Sequence, residues 1–200
     1  MGYLEMTDCE ASLLRGDQTF SRRGIGMNTF YSLLDSPVGE LLITEDGEYL
    51  TRVHFSHSGS SHAIDPNWIR DDSAATLTEV SAQLVAYFAG ELRQFALPIR
   101  AAGTEFQQRV WTELQRIPYG ETISYGELAR RIGNPDASRA VGLANGKNPI
   151  GIIVPCHRVI GADGALTGFG GGIANKRRLL EIERKFAASL VSHEQHVLAI

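Results

Sequence analysis

The chain has 200 residues, 43% of them hydrophobic, with a formal net charge of −4, which allows one large domain or two small ones with ample core. No apolar run is long enough to span a bilayer and the N-terminus lacks a signal-peptide core. Cys9 and Cys156 are its only cysteines, too few for a disulfide framework or an all-cysteine zinc site, and a reducing, cytoplasmic setting is the default reading.

The charge is uneven. Residues 1–103 carry 7 basic and 14 acidic side chains, whereas residues 104–186 carry 12 basic and 8 acidic. The second half is the one suited to a polyanion.

In chain order, residues 1–28 show no sustained periodicity and read as a mobile leader, with Met27 a candidate start. Strands are predicted at Thr29–Leu34, Glu40–Thr44 and Tyr49–Phe55, joined by turns at Asp35–Gly39 and Asp46–Gly47, a three-stranded antiparallel meander. Residues 56–72 form a polar loop; His54, His57 and His62 lack a carboxylate or cysteine at ligand spacing and read as solvated, not as metal ligands. Ala74–Ala89 has helical spacing, with Leu77, Val80, Leu84 and Phe88 on one stripe and Gly90 as its stop. Gln94–Ile99 reads as a short edge strand limited by Pro98, and residues 100–103 as the link to a second domain.

That domain opens with a capping box, Thr104-x-x-Gln107, before a helix with Phe106, Val110, Trp111 and Leu114 inward, closed by Pro118. A second box, Ser124-x-x-Glu127, starts a short helix ending at Gly133, and Asn134-Pro135 starts a third that Gly146 ends, together a helix-turn-helix. Ala137, Ala140, Gly142 and Ala144 give the third helix a slim face, suited to a neighbouring helix or to a nucleic-acid groove, with Arg139 projecting. Ile152–Val154 and Val159–Ile160 read as buried strand around Pro155-Cys156-His157-Arg158. Arg158–Ile160 and Ala165–Thr167 flank a turn as a hairpin, or wing; a glycine-rich loop, Gly168–Gly172, follows, then a helix over Asn175–Phe186 and a loose tail from 187 to 200.

A cysteine is usually a small inert hydrophobe, but His157 and Arg158 beside Cys156 are groups that lower a thiol pKa. Cys156, His157 and Glu183 supply a nucleophile, a base and a carboxylate to orient it. On these residues alone a cysteine hydrolase, or a winged-helix DNA-binding module without chemistry, stays open.

Pro155-Cys156-His157-Arg158-Val159, with Asn148-Pro149 and Arg139-Ala-Val-Gly142 upstream, resembles the O6-alkylguanine-DNA alkyltransferases. Tyr119-Gly-Glu-Thr-Ile-Ser-Tyr125 and Gly168-Phe-Gly-Gly-Gly172 fall in that family's order, and the match runs from about Thr29 to Glu183. It is most similar to the bacterial constitutive form, without a zinc site. The resemblance implies an α+β chain: a small antiparallel-sheet, ribonuclease H-like domain over 29–100, then a helical winged helix-turn-helix domain over 101–186. It implies transfer of an alkyl group from O6-alkylguanine, and O4-alkylthymine, in double-stranded DNA to Cys156, once per molecule, with no cofactor, metal or membrane. Self-association on DNA stays open. His157 would deprotonate the thiol through a water and Glu183 would orient His157. Tyr125, Asn148, Val159, Phe169 and Gly170 would form the base pocket, and Ser124, Tyr125, Arg139 and Ala140 would contact DNA, Arg139 filling the gap of the flipped base. Phe169 and Gly170 depart from the family's usual tyrosine and small hydroxyl residue, which removes any hydroxyl contact from this loop.

Overall fold

The computed structural model describes residues 28–56 and 62–197, with side chains to Ala188. The strands β1 (Phe30–Leu34), β2 (Leu41–Glu45) and β3 (Leu50–Phe55) form the expected antiparallel meander. A two-residue strand that the polar loop did not announce, β4 (Ile69–Arg70), pairs parallel to β1, so the sheet order is β3-β2-β1-β4. Helix α1 (Ala75–Ala89) ends at Gly90, which takes the left-handed conformation that lets its N–H return to Ala86 and Tyr87. Its buried stripe is Leu77, Val80, Leu84 and Tyr87; Phe88 is only partly buried. The 3.6-residue period favours position 87, and a buried tyrosine is tolerated because its hydroxyl finds a partner, described below. Gln94–Ile99 is no strand. It makes a single parallel bridge, with Leu50 N–H donating to Pro98 O and Arg100 N–H to Leu50 O.

The second half is helical. Helix α2 (Glu105–Leu114) carries the complete Thr104/Gln107 capping box and buries Val110, Trp111 and Leu114, with Phe106 partly buried. Trp111 Nε1 donates to Ala144 O at 2.9 Å, tying α2 to the slim helix. β5 (Ile123–Ser124) leads into α3 (Tyr125–Arg131), where only half of the expected box forms. Ser124 accepts from Glu127 N–H, but Glu127 turns its carboxylate to Arg130 and Arg131. After a 3-10 turn over Pro135–Ala137 comes α4 (Ser138–Gly146).

Two expectations around the cysteine are corrected. Ile152–Val154 is buried but is a turn, because its N–H groups bond locally, Ile153 to Gly151 O and Val154 to Ile150 O. Ile152 sits at φ 68°, a conformation that costs a β-branched residue on the order of 1–3 kcal/mol and persists only where packing imposes it. The wing has only its turn, closed by Gly161 N–H to Ala165 O. Ala165–Thr167 forms no ladder; β6 (Val159–Ile160) pairs parallel with β5 instead. The last helix, α5 (Ile173–Val197), starts earlier than predicted and runs on through what was read as a tail. The leader, Cys9 and His57 lie outside the described residues.

Candidate active site

Pro155 ends the buried turn, and Cys156–Arg158 coils into one 3-10 turn, Arg158 N–H bonding to Pro155 O at 3.0 Å. That turn separates the Cys156 side chain from those of His157 and Arg158, which share one partner. Cys156 Sγ accepts a hydrogen bond from Asn148 Nδ2 at 3.1 Å. Asn148 is itself clamped, donating to Val154 O at 2.8 Å and accepting from Ile150 N–H at 3.0 Å. Asn145, in α4, donates to Cys156 O at 3.3 Å and to Gly168 O at 3.5 Å, so the slim helix is strapped to both the cysteine turn and the glycine-rich loop.

His157 and Arg158 both reach into a buried ion network. Glu183, fully buried on α5, is its centre. Its Oε1 accepts from His157 Nε2 at 2.8 Å, Tyr87 OH at 2.8 Å and Arg158 Nη2 at 2.9 Å. Its Oε2 accepts from Gly120 N–H at 3.0 Å and Arg158 Nε at 3.0 Å. Burial alone would raise the Glu183 pKa, but the hydrogen bonds and charges of His157 and Arg158 outweigh it and hold the carboxyl at about 2. Burial pushes His157 below its usual 6.5, opposed by the hydrogen bond and charge of Glu183. A carboxylate acceptor places the ring proton on Nε2. Nδ1 is then the basic nitrogen, and it is buried without a hydrogen-bond partner among the described residues.

The thiol is not activated at rest. Burial raises its pKa above the usual 9.0, opposed by the Asn148 hydrogen bond and the charge of Lys176. The side chains of both its sequence neighbours bond to Glu183, and what His157 offers the sulfur is a backbone hydrogen bond that lowers its pKa. Lys176, brought low to about 8 by burial, donates to Val159 O at 2.5 Å and Thr167 O at 2.7 Å.

Cys156, Asn148, Phe169 and Gly170 line one cavity of about 80 Å³, with Asn145, Gly146, Gly151 and Gly171 and with Val53, His54 and Phe55 from β3. The expected residues Tyr125 and Val159 are outside that lining. Tyr125 OH donates to Thr167 O at 2.9 Å, and Val159 O and Cys156 O each already accept one side-chain bond. Arg139 and Ala140 are exposed on α4, as is Leu143, 70% exposed four residues on. Ser124, partly buried, caps α3.

Residues 29–101 match the family described as 6-O-methylguanine DNA methyltransferase, ribonuclease-like domain, and residues 105–185 match its DNA binding domain. The methylated-DNA–protein-cysteine methyltransferase of Mycobacterium tuberculosis is 53% identical over 157 residues, 78% of this chain and 93% of the relative. That of Methanosarcina acetivorans is 50% identical over 154 residues, 77% of this chain and 97% of the relative. The chain belongs to the 6-O-methylguanine DNA methyltransferase family. Among solved structures, Mycobacterium tuberculosis O6-methylguanine methyltransferase superposes with a TM-score of 0.72 at 52% identity, covering 78% of this chain and 93% of that one. The same enzyme in complex with DNA matches equally, with a TM-score of 0.72.

The sequence reading of this methyltransferase missed Tyr87, Asn145, Lys176 and the β3 residues of the cavity. Lys176 did leave a signal: with Leu179, Leu180 and Glu183 it falls on one helical stripe, and all four are buried. A lysine and a glutamate in an apolar stripe are functional or paired. Tyr87 left none, since it looks like any core aromatic.

Proposed function

We propose that this chain repairs DNA by moving an alkyl group from the O6 atom of guanine to Cys156 Sγ. The observation that carries the reading is a buried cysteine sulfur lining a small cavity, bonded by Asn148, whose next residue is a histidine bonded to a buried carboxylate. His157 Nδ1 takes the thiol proton, through a water, and Glu183 steadies the resulting imidazolium. The thiolate attacks the alkyl carbon, a carbon–sulfur bond forms, the carbon–O6 bond breaks, and its electron pair leaves on guanine, which is reprotonated. No tetrahedral oxyanion arises, so the geometry needs no oxyanion hole. The thioether has no leaving path, so each molecule acts once.

To reach the cavity the base must leave the stack. Arg139 on α4 is the residue we assign to the vacated space, with Ser124, Tyr125 and Ala140 against the backbone; Phe169 and Gly170 wall the base, and Tyr125 gives up its bond to Thr167 O to contact it. No described helix is long and apolar enough to cross a membrane, and the free thiol suits a reducing cytoplasm. The test is incubation with duplex DNA carrying O6-methylguanine followed by intact-mass measurement. One methyl per molecule on Cys156 is expected, and none in Cys156→Ser. Turnover, or methylation elsewhere, overturns the assignment.

A further inference from the structure

The cavity around Cys156 is not built by the DNA-binding half alone. Three of its lining residues, Val53, His54 and Phe55, come from β3 of the N-terminal sheet. They are held there by backbone. Val53 N–H donates to Pro149 O at 3.0 Å and Gly151 N–H to Val53 O at 3.1 Å, which extends the sheet edge onto the segment leading to the cysteine. Phe55, 5% exposed, then lies edge-on to Phe169 with ring centroids 5.3 Å apart. Glycines surround it out of necessity: a Cβ on Gly151 would meet the Phe55 ring at 2.6 Å, and one on Gly171 would meet it at 2.6 Å.

We propose that Phe55 is a specificity-determining residue: its ring closes the side of the pocket that an O6 substituent larger than methyl must enter. This rests on the transfer reaction proposed above. The ring is gripped by Phe169, Gly151 and Gly171, so it has no alternative position to yield to a bulky substituent. The flat glycine-rich loop and the glycine at 151 are the space that the ring occupies. Pocket size is thereby set from the sheet domain, on a strand remote in sequence from the cysteine.

The experiment compares single-turnover transfer from duplexes carrying O6-methylguanine and O6-benzylguanine, read by intact mass, for the full chain and for Phe55→Ala, Phe55→Leu and Gly151→Ala. Shortening Phe55 is expected to raise the benzyl-to-methyl rate ratio by on the order of 10-fold, the least discrimination an apolar pocket contact supplies. Leucine should fall between alanine and the parent. Gly151→Ala, whose methyl collides with the ring, should lower the ratio, and Phe55→Ala should restore it in the double variant. If Phe55→Ala does not fold, Phe55→Leu and Gly151→Ala decide. Equal changes for both substrates in every folded variant would make Phe55 a packing residue and overturn the inference. If the parent protein gains no methyl at all, it is the transfer reaction that fails, and this inference goes with it.

Discussion

His157 Nε2 and Glu183 Oε1 lie 2.8 Å apart with both side chains fully buried. Arg158 shares the same carboxylate at 2.9 Å, so Glu183 holds the His157 ring, the base of the proposed transfer, and also neutralises a buried cation. The two duties separate by mutation. His157→Gln keeps the Glu183–Arg158 pair and is expected to slow transfer by about 10²–10⁴, the usual contribution of general acid–base groups, with melting temperature little changed. Glu183→Gln should slow transfer similarly and also destabilise the fold by roughly 3–5 kcal/mol, because it strands Arg158. Single-turnover rates beside thermal melts check both; a Glu183→Gln protein as stable as the parent would deny the second duty.

Arg139→Ala tests the exposed face of α4. Unstacking a base costs a few kcal/mol, and a planar guanidinium can hold the vacated space. Repair of duplex DNA should fall steeply while transfer from free O6-benzylguanine, which needs no flipping, stays near the parent rate. A mere phosphate contact would instead weaken duplex binding uniformly and reduce its salt dependence by about one charge.

Acid should unfold this protein through Glu183. Its folded pKa of about 2 lies below the ordinary 4.5, so the stability it contributes is fully present above 4.5 and is lost as pH falls toward 2. Asp71 and Glu127 are also lowered, but they are only partly buried, solvent screens them, and they contribute little. Melting temperatures across that range should drop more steeply for the parent than for Glu183→Gln; parallel curves would place the acid sensitivity elsewhere.

Lys176→Met removes the cation that opposes the burial of the Cys156 thiol. The thiol should then titrate still higher, and its alkylation by a small neutral reagent should slow at neutral pH. Thiolate absorbance against pH reads the shift directly. An unmoved titration would confine Lys176 to bridging the Val159 and Thr167 carbonyls.

What the sequence disclosed was local. The Thr104/Gln107 capping box and the Gly90 stop work within a few residues, and each formed as read. The His157–Glu183 hydrogen bond was anticipated because a cysteine and histidine adjacent in sequence invite a search for a carboxylate. Two kinds of error followed from physics. A short apolar run such as Ile152–Val154 has no period to distinguish a buried turn from a strand. Contacts between distant segments leave no pattern: Tyr87 reaches Glu183 across 96 residues, and Phe55 reaches Phe169 from another domain. Adjacency in the chain likewise says nothing about where side chains turn: those of His157 and Arg158 both reach Glu183.

The burial of Cys156, 5% exposed under Asn148 and the cavity walls, has a consequence for the cell. Once methylated, the sulfur is a thioether with no leaving path, so the mark is permanent. Such a protein is consumed as a reagent is. The number of lesions erased between one round of synthesis and the next cannot exceed the number of unmarked copies present. Tolerance to an alkylating dose is therefore governed by copy number and resynthesis, and faster chemistry shortens the life of each lesion without raising that ceiling.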